Sequence, residues 1–126
     1  MATIAAAVAN AGVAMKPRLI AAEPPSILDR YMPEGTARRL AAMMRKVVSQ
    51  GTGRGIDLSE LAIAGKTGTA ENPHGASHSW FIGFAPAARP SLAVAVLVEQ
   101  GGYGSRTAAP IARDLFVRAR DLGLLR

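Results

Sequence analysis

Several residue classes that commonly mark function are missing or scarce in the sequence. It has no cysteine, which excludes a disulfide framework, thiolate metal sites and a cysteine nucleophile. Aromatic residues make up only 5%, too few for a platform on which nucleotide bases stack. No apolar run reaches the roughly 18 residues that a membrane-spanning helix needs. The alanine-rich start has no basic residue before its apolar run, which argues against a signal peptide.

Acidic residues are also few, with 9 acidic against 15 basic residues and a net charge of +6. Such a charge first suggests nucleic acid or an anionic surface as a partner. The basic residues are scattered along the chain rather than clustered, however, so the pattern predicts no nucleic-acid partner. The 126 residues suffice for one ordinary domain, and 49% hydrophobic residues are enough for a packed core.

Two helices are predicted in the first half of the chain. Thr3 to Asn10, TIAAAVAN, lacks charge and is expected to be buried nearly all round. Glu34 to Gln50 is expected to begin with Thr36 as its cap and to bury one face. The apolar residues of that face are Leu40, Met43, Met44, Val47 and Val48. The proline-containing segment between the helices is predicted to be extended or irregular, with room for a short edge strand.

Three strands and a last helix are predicted in the second half. The strands are Leu61–Ala64 running into residues 65–69, then Trp80–Ala85, then Leu92–Glu99. The turn-rich segments 71–78 and 86–90 should join them in antiparallel fashion. The last helix is predicted over Ala108–Leu122, with a buried stripe of Ala108, Ile111, Ala112, Leu115, Phe116, Ala119 and Leu122. The expected fold class is therefore α+β, with three antiparallel strands packed with helices.

One segment carries recognisable chemistry, Gly65–Lys66–Thr67–Gly68–Thr69. Its glycines leave strand backbone uncovered, so that a peptide-like ligand could add itself as an extra strand. Lys66 would supply positive charge, the hydroxyls of Thr67 and Thr69 could bind a carboxylate, and an amide could face an oxyanion. A Lys-Thr-Gly triplet also occurs by chance, and threonines are common on strands. The segment is not a phosphate-binding loop, because the required upstream glycine is absent.

Its context resembles the penicillin-binding protein transpeptidase domains, the serine D,D-transpeptidases that cross-link peptidoglycan. GKTGTAE followed by SWFIGFAP is similar to the class B enzymes of that family, and the resemblance covers about residues 1–120. Lys-Thr-Gly is one of the three signature motifs of these enzymes and their β-lactamase relatives. The resemblance implies a β-lactamase/transpeptidase-like fold, stem peptides ending in D-Ala-D-Ala and β-lactams as ligands, and no cofactor.

The resemblance also implies roles for the motif residues. Lys66 corresponds to the lysine that sets the electrostatics and proton network of the site, and Thr67 is the hydroxyl next to it. Gly68 would keep the strand open to the ligand. Thr69 matches the residue whose amide lines the oxyanion hole and whose hydroxyl meets the substrate or penicillin carboxylate. Lys66 and Thr69 are thus the expected catalytic residues, and Thr67, Gly68 and Thr69 the expected substrate-binding residues.

The other two motifs of the family are missing. None of the serines is followed by lysine at the third position, and no S-x-N occurs. Acylation needs a nucleophile with a nearby base, so we expect the chain to be inactive alone. Residues 1–126 are therefore expected to be the C-terminal portion of a transpeptidase domain, truncated before its nucleophile. The missing portion should leave an unpaired sheet edge that invites self-association.

Further expectations concern location, alternatives and residues outside the motif. In the family, a membrane anchor usually leads, and the domain lies on the extracytoplasmic side of the bacterial cytoplasmic membrane. The alternatives are a non-catalytic module that binds cell-wall peptide or protein, and a basic chain that binds nucleic acid.

His74 and His78 have no metal-like partner pattern, so no metal site is predicted. Trp80 and Phe81 are expected in the core or in a cleft wall.

Overall fold

Helices cover both faces of a small antiparallel sheet in the computed structural model, which describes residues 1–125. The elements in chain order are α1 (Ala2–Ala9), β1 (Val13–Met15), β2 (Ile27–Arg30), α2 (Glu34–Gln50), β3 (Ala64–Ala70), β4 (His78–Ala85), β5 (Leu92–Val98) and α3 (Ala108–Asp121). The predicted α+β class is confirmed. Within residues 1–125, no helix combines the length and the apolarity needed to cross a membrane. Arg126, the last residue of the predicted domain, lies outside the described residues.

The main sheet has the order β3–β4–β5, with both pairs antiparallel. In its register Gly68 lies opposite Trp80, and Trp80 lies opposite Leu97. The two turn-rich segments therefore join antiparallel strands, as predicted. Because β4 occupies the middle, β3 and β5 are the edge strands of this sheet.

The first strand of the sheet begins later than predicted. The backbone N–H groups of Leu61 and Ala62 both donate to the carbonyl oxygen of Leu58, which forms a turn rather than a strand. Ala62 has a φ of 43°, a left-handed conformation that no strand contains. The side chains of Leu61 and Ile63, which lie in and next to this turn, are buried in the core. The apolar pattern that predicted a strand over Leu61–Ala64 therefore indicates that the segment is buried, but not that all of it is extended.

The helix α3 packs against one face of the sheet, here called the back face. Ala108, Ala112 and Phe116 of α3 join Phe81 and Val96 in the larger core cluster. The predicted stripe is wrong at Ile111, Leu115 and Leu122, which are 42%, 48% and 61% exposed. Small alanines form the line of closest approach to the sheet, so the larger aliphatic side chains beside that line stay at the surface.

The helices α1 and α2 lie against the opposite, front face. Val8 of α1 and Met44 of α2 pack with Ala64 and Phe84 in a second core cluster. The prediction that the first helix is buried nearly all round is wrong, because α1 packs along one side only and Ile4 is 43% exposed. The predicted stripe of the second helix is wrong at Met43, which is 55% exposed.

The start of α2 also differs from the prediction in its cap. The helix begins at Glu34 directly after Pro33, and no side chain caps it. Thr36 already lies inside the first turn, where its hydroxyl accepts from Arg39 instead. The irregular segment before α2 is flanked by β1 and β2, which pair in a separate two-stranded sheet. All residues of β2 are exposed, so amphipathic alternation could not reveal it.

Ser79 ties α3 to the sheet. Its side chain is fully buried, and its Oγ accepts from the backbone N–H of Ala108 at 3.0 Å and donates to the carbonyl oxygen of Tyr103 at 3.3 Å. Because Ser79→Ala leaves the buried backbone N–H of Ala108 without its acceptor, we expect it to lower the free energy of unfolding by about 1–3 kcal/mol. Urea unfolding measures the change. Ser91→Ala, at an exposed serine, is the control, and equal effects of the two variants would contradict the assignment.

Candidate active site

The Lys-Thr-Gly motif lies in the middle of β3, at the edge of the main sheet. Within residues 1–125, β3 pairs with β4 alone, so its other edge has no strand partner. Side chains alternate along a strand. Lys66 and Gly68 therefore face the front, and Thr67 and Thr69 face the back. The structure brings all four predicted site residues together along one open edge, but on two faces of the sheet.

The backbone of β3 offers hydrogen-bonding groups at this edge. The carbonyl oxygen of Thr67 accepts from Lys66 Nζ. In an antiparallel ladder, alternate residues direct both N–H and C=O away from the paired strand. Thr69 therefore points its amide and carbonyl outward, in the same direction as the Thr67 carbonyl. This geometry suits a ligand that lies along the strand as an added chain.

Lys66 borders an apolar groove on the front face. The groove has a volume of about 350 Å³ and is lined by Lys66 together with Ile4, Ala5, Val8, Leu40, Met43, Met44, Val47 and Ile82. Among the ion pairs of residues 1–125, none includes Lys66. The ammonium group thus stands at the rim of an apolar surface, with a strand carbonyl as its hydrogen-bond acceptor.

Thr67 has a side-chain partner that sequence reasoning missed. Its hydroxyl lies 2.7 Å from that of Thr52, in the connection after α2, and its side chain is nearly buried with 7% exposure. In the sequence, Gly51, Gly53 and Gly55 indicate only a loop that ends the helix. The threonine between the first two was the available signal, but nothing in the sequence shows which strand it reaches.

Gly104, in the connection between β5 and α3, supports the motif from the back. Its N–H lies 3.4 Å from Thr69 Oγ1. A Cβ at Gly104 would lie 2.3 Å from the carbonyl oxygen of Gly68 and 2.5 Å from that of Trp80. The connection therefore presses directly on the hydrogen-bonded pair of β3 and β4. In the sequence, Gly104 is one of three closely spaced glycines, with Gly101 and Gly102, that indicate only a break between elements.

The aromatic and histidine residues near the motif have separate positions. Phe81 is fully buried in the core, whereas Trp80 is half-buried on the front face opposite Gly68. His78 Nδ1 accepts from the backbone N–H of Gln100 at 3.0 Å. In the part of the chain that the structure describes, no group of three or more histidine, aspartate or glutamate residues is arranged to hold a metal ion.

Comparison with known proteins places this fold and site in a family. The family model "Penicillin binding protein transpeptidase domain" matches residues 1–117. The chain therefore belongs to the penicillin-binding protein transpeptidase domain family. It is 37% identical to the peptidoglycan D,D-transpeptidase PbpA of Mycolicibacterium smegmatis over 94% of its own length. The chain spans about 28% of the length of that relative.

Solved structures of transpeptidases are similar to the fold of this chain. The ceftriaxone acyl-enzyme complex of penicillin-binding protein A from Mycobacterium tuberculosis matches 94% of the chain with a TM-score of 0.85 and 33% identity, and the chain covers 31% of it. Another solved structure of the same protein is its penicillin G acyl-enzyme complex. The D,D-transpeptidase domain from Eggerthella lenta matches 98% of the chain with a TM-score of 0.81 and 34% identity, and the chain covers 32% of it.

Proposed function

We propose that residues 1–126 form the C-terminal portion of a peptidoglycan D,D-transpeptidase domain and supply the motif strand of its active site. The observation that carries this proposal is the open edge of β3, where Lys66 Nζ donates to the carbonyl oxygen of Thr67 and Thr69 directs its own backbone groups outward. The acylated serine comes from a segment outside this sequence. Stem peptides ending in D-Ala-D-Ala and β-lactams are the ligands, and the domain acts on the extracytoplasmic side of the bacterial cytoplasmic membrane.

Each motif residue has a part in this function. Lys66 supplies positive charge and a proton-transfer partner at the front of the strand, next to the groove. The outward amide of Thr69 stabilises the oxyanion, because a fixed backbone donor needs no reorganisation as charge develops. The hydroxyls of Thr67 and Thr69 bind the ligand carboxylate. Gly68 leaves the strand surface bare, so that the ligand can approach the backbone.

A fluorescent penicillin tests this proposal in two settings. We expect no covalent labelling of the isolated chain, because it contains no S-x-x-K serine. The second setting is a chimera of M. tuberculosis penicillin-binding protein A in which residues 1–126 replace the matching part, here called the PbpA chimera. We expect the PbpA chimera to be labelled in a form that survives denaturation.

Two outcomes contradict the proposal. Stable labelling of the isolated chain would show that it holds its own nucleophile. A PbpA chimera that folds with a cooperative melt and yet is not labelled would show that β3 cannot serve the site. Native M. tuberculosis penicillin-binding protein A serves as the positive control, since it forms a penicillin G acyl-enzyme.

The open edge of β3 also suits a second candidate function, a module that binds cell-wall peptide without chemistry. In this case the isolated chain would bind a peptide ending in D-Ala-D-Ala reversibly, which calorimetry can measure. Such binding together with an unlabelled but folded PbpA chimera would favour the module over the transpeptidase. The absence of a nucleic-acid partner stays a prediction, and DNA binding with a steep salt dependence would contradict it.

A further inference from the structure

The turn that follows α2 reaches the motif strand through one side chain. Thr52 is exposed, and its Oγ1 lies 2.7 Å from Oγ1 of the nearly buried Thr67. The two residues are 15 positions apart in sequence. This hydroxyl pair is a side-chain contact between the turn and the motif itself. In this pair one hydroxyl donates and the other accepts, so the contact bears on the direction of the Thr67 proton.

The turn is built so that Thr52 has little freedom. The backbone N–H groups of Gly51 and Gly53 both donate to the carbonyl oxygen of Val47 in the last turn of α2. A Cβ at Gly51 would lie 2.9 Å from this oxygen, and one at Gly53 would lie 3.2 Å from it. Glycine on both sides of Thr52 thus lets the chain close tightly onto the helix end.

A second contact fixes α2 against the start of β3. Arg45 donates from Nη1 to the carbonyl oxygen of Ile63 at 3.0 Å and forms a salt bridge with Asp57 at 2.9 Å. The helix that carries the turn is therefore tied by Arg45 to the residue just before β3, and the turn after it is tied to the motif by Thr52. Thr52 is presented to Thr67 from a fixed support, which is what a positioning role requires.

The chemistry of two hydroxyls determines what this contact does. Each hydroxyl has one proton to donate and can accept two hydrogen bonds. A ligand carboxylate only accepts, so Thr67 must direct its own proton at the ligand. It can do so when Thr52 donates to Thr67 Oγ1, and a chain of hydrogen bonds in one direction strengthens each member.

We propose that Thr52 is a positioning residue of the transpeptidase site: its hydroxyl donates to Thr67 Oγ1 and thereby directs the Thr67 proton toward the ligand carboxylate. This inference rests on the proposed function. Thr52 acts through Thr67 and does not touch the reacting atoms. Its effect is on the affinity for a carboxylate-bearing ligand before acylation, not on the rate of bond formation.

The test uses the PbpA chimera with Thr52→Val, which keeps the shape but removes the hydroxyl, and Thr52→Ser, which keeps the hydroxyl. Stopped-flow acylation by penicillin G separates the dissociation constant of the initial complex from the acylation rate constant. We expect Thr52→Val to raise the dissociation constant about threefold to tenfold, the effect of losing one hydrogen bond between neutral groups that supports the bond to the carboxylate. The acylation rate constant should change less than about twofold, and Thr52→Ser should restore the affinity.

A ligand without the carboxylate distinguishes positioning from a general structural effect. With penicillin G methyl ester, we expect Thr52→Val and the unmodified PbpA chimera to have equal dissociation constants. Thr36→Val, at an exposed threonine of α2, is the matched control and should change nothing.

The outcomes separate this inference from the proposed function. Equal affinity of Thr52→Val and the unmodified PbpA chimera for penicillin G would overturn the role of Thr52 alone. An equal loss with the methyl ester, or no restoration by Thr52→Ser, would also overturn it. Failure of the unmodified PbpA chimera to be acylated would instead contradict the proposed function.

Discussion

Lys66→Ala in the PbpA chimera is expected to slow acylation by penicillin G about a hundredfold or more. The lysine supplies the positive charge beside the open edge of β3, and a preorganised charge of this kind commonly contributes that much to an acyl-transfer rate. Its side chain is exposed, and no salt bridge within residues 1–125 includes it. The thermal midpoint should therefore stay within a few degrees, so that chemistry is lost and the fold is kept.

Two measurements on the same sample check this result. The acylation rate constant comes from the time course of fluorescent penicillin labelling, and the melting curve comes from circular dichroism. Lys46→Ala removes another exposed lysine, in α2, and is the matched control, with no expected change in either measurement. Unchanged acylation of Lys66→Ala would contradict the role of Lys66. A collapsed melting curve with normal labelling of the remaining folded molecules would contradict it as well.

The elements that could be predicted from sequence are those whose residue pattern fits only one type of secondary structure. The strand Leu92–Val98 is rich in β-branched residues, and the helix Glu34–Gln50 has the predicted bounds. Burial was harder to predict, because periodicity identifies an apolar face but not the part of it that meets a neighbour. In α3 the sheet selects the alanine line, which leaves Ile111 and Leu115 exposed. The turn at Ala62 was missed for a related reason, since burial without alternation does not distinguish strands from turns.

The candidate site shows the same division between local and distant information. Lys66, Thr67, Gly68 and Thr69 are adjacent in sequence, so their presence on one strand could be predicted. Their supports could not, because a 15-residue separation joins Thr52 to Thr67 and a 35-residue separation joins Gly104 to Thr69. Such contacts depend on how α2 and the connection before α3 pack, and a single sequence carries no sign of them. A glycine beside a motif is ambiguous until its neighbours are known.

Gly104→Ala is expected to be the most damaging small substitution near the motif. The added methyl group would lie 2.3 Å from the carbonyl oxygen of Gly68, 2.5 Å from that of Trp80 and 2.9 Å from the amide nitrogen of Gly68. All three are backbone atoms, so no side chain can rotate away, and either β3 or the connection must move. Forced repacking of this kind costs about 2–3 kcal/mol of unfolding free energy.

The predicted displacement should also lower the acylation rate, because Gly104 is in contact with the motif. Moving the connection removes the N–H that lies near Thr69 Oγ1, and moving β3 shifts the outward amide of Thr69. We therefore expect Gly104→Ala in the PbpA chimera to lose acylation rate as well as stability, beyond what the unfolded fraction explains. Urea unfolding and acylation rates corrected for the folded fraction measure the two effects.

Gly35→Ala is the matched control for this substitution. A Cβ at Gly35, in the first turn of α2, has no heavy atom within 4 Å, and alanine in a helix is favoured over glycine by about 0.5–1 kcal/mol. The same chemical change should thus stabilise the protein at Gly35 and destabilise it at Gly104. If Gly104→Ala left stability and acylation unchanged, the connection before α3 would not press on β3. If it lowered stability but left the corrected acylation rate intact, the contact would support the fold without positioning the motif.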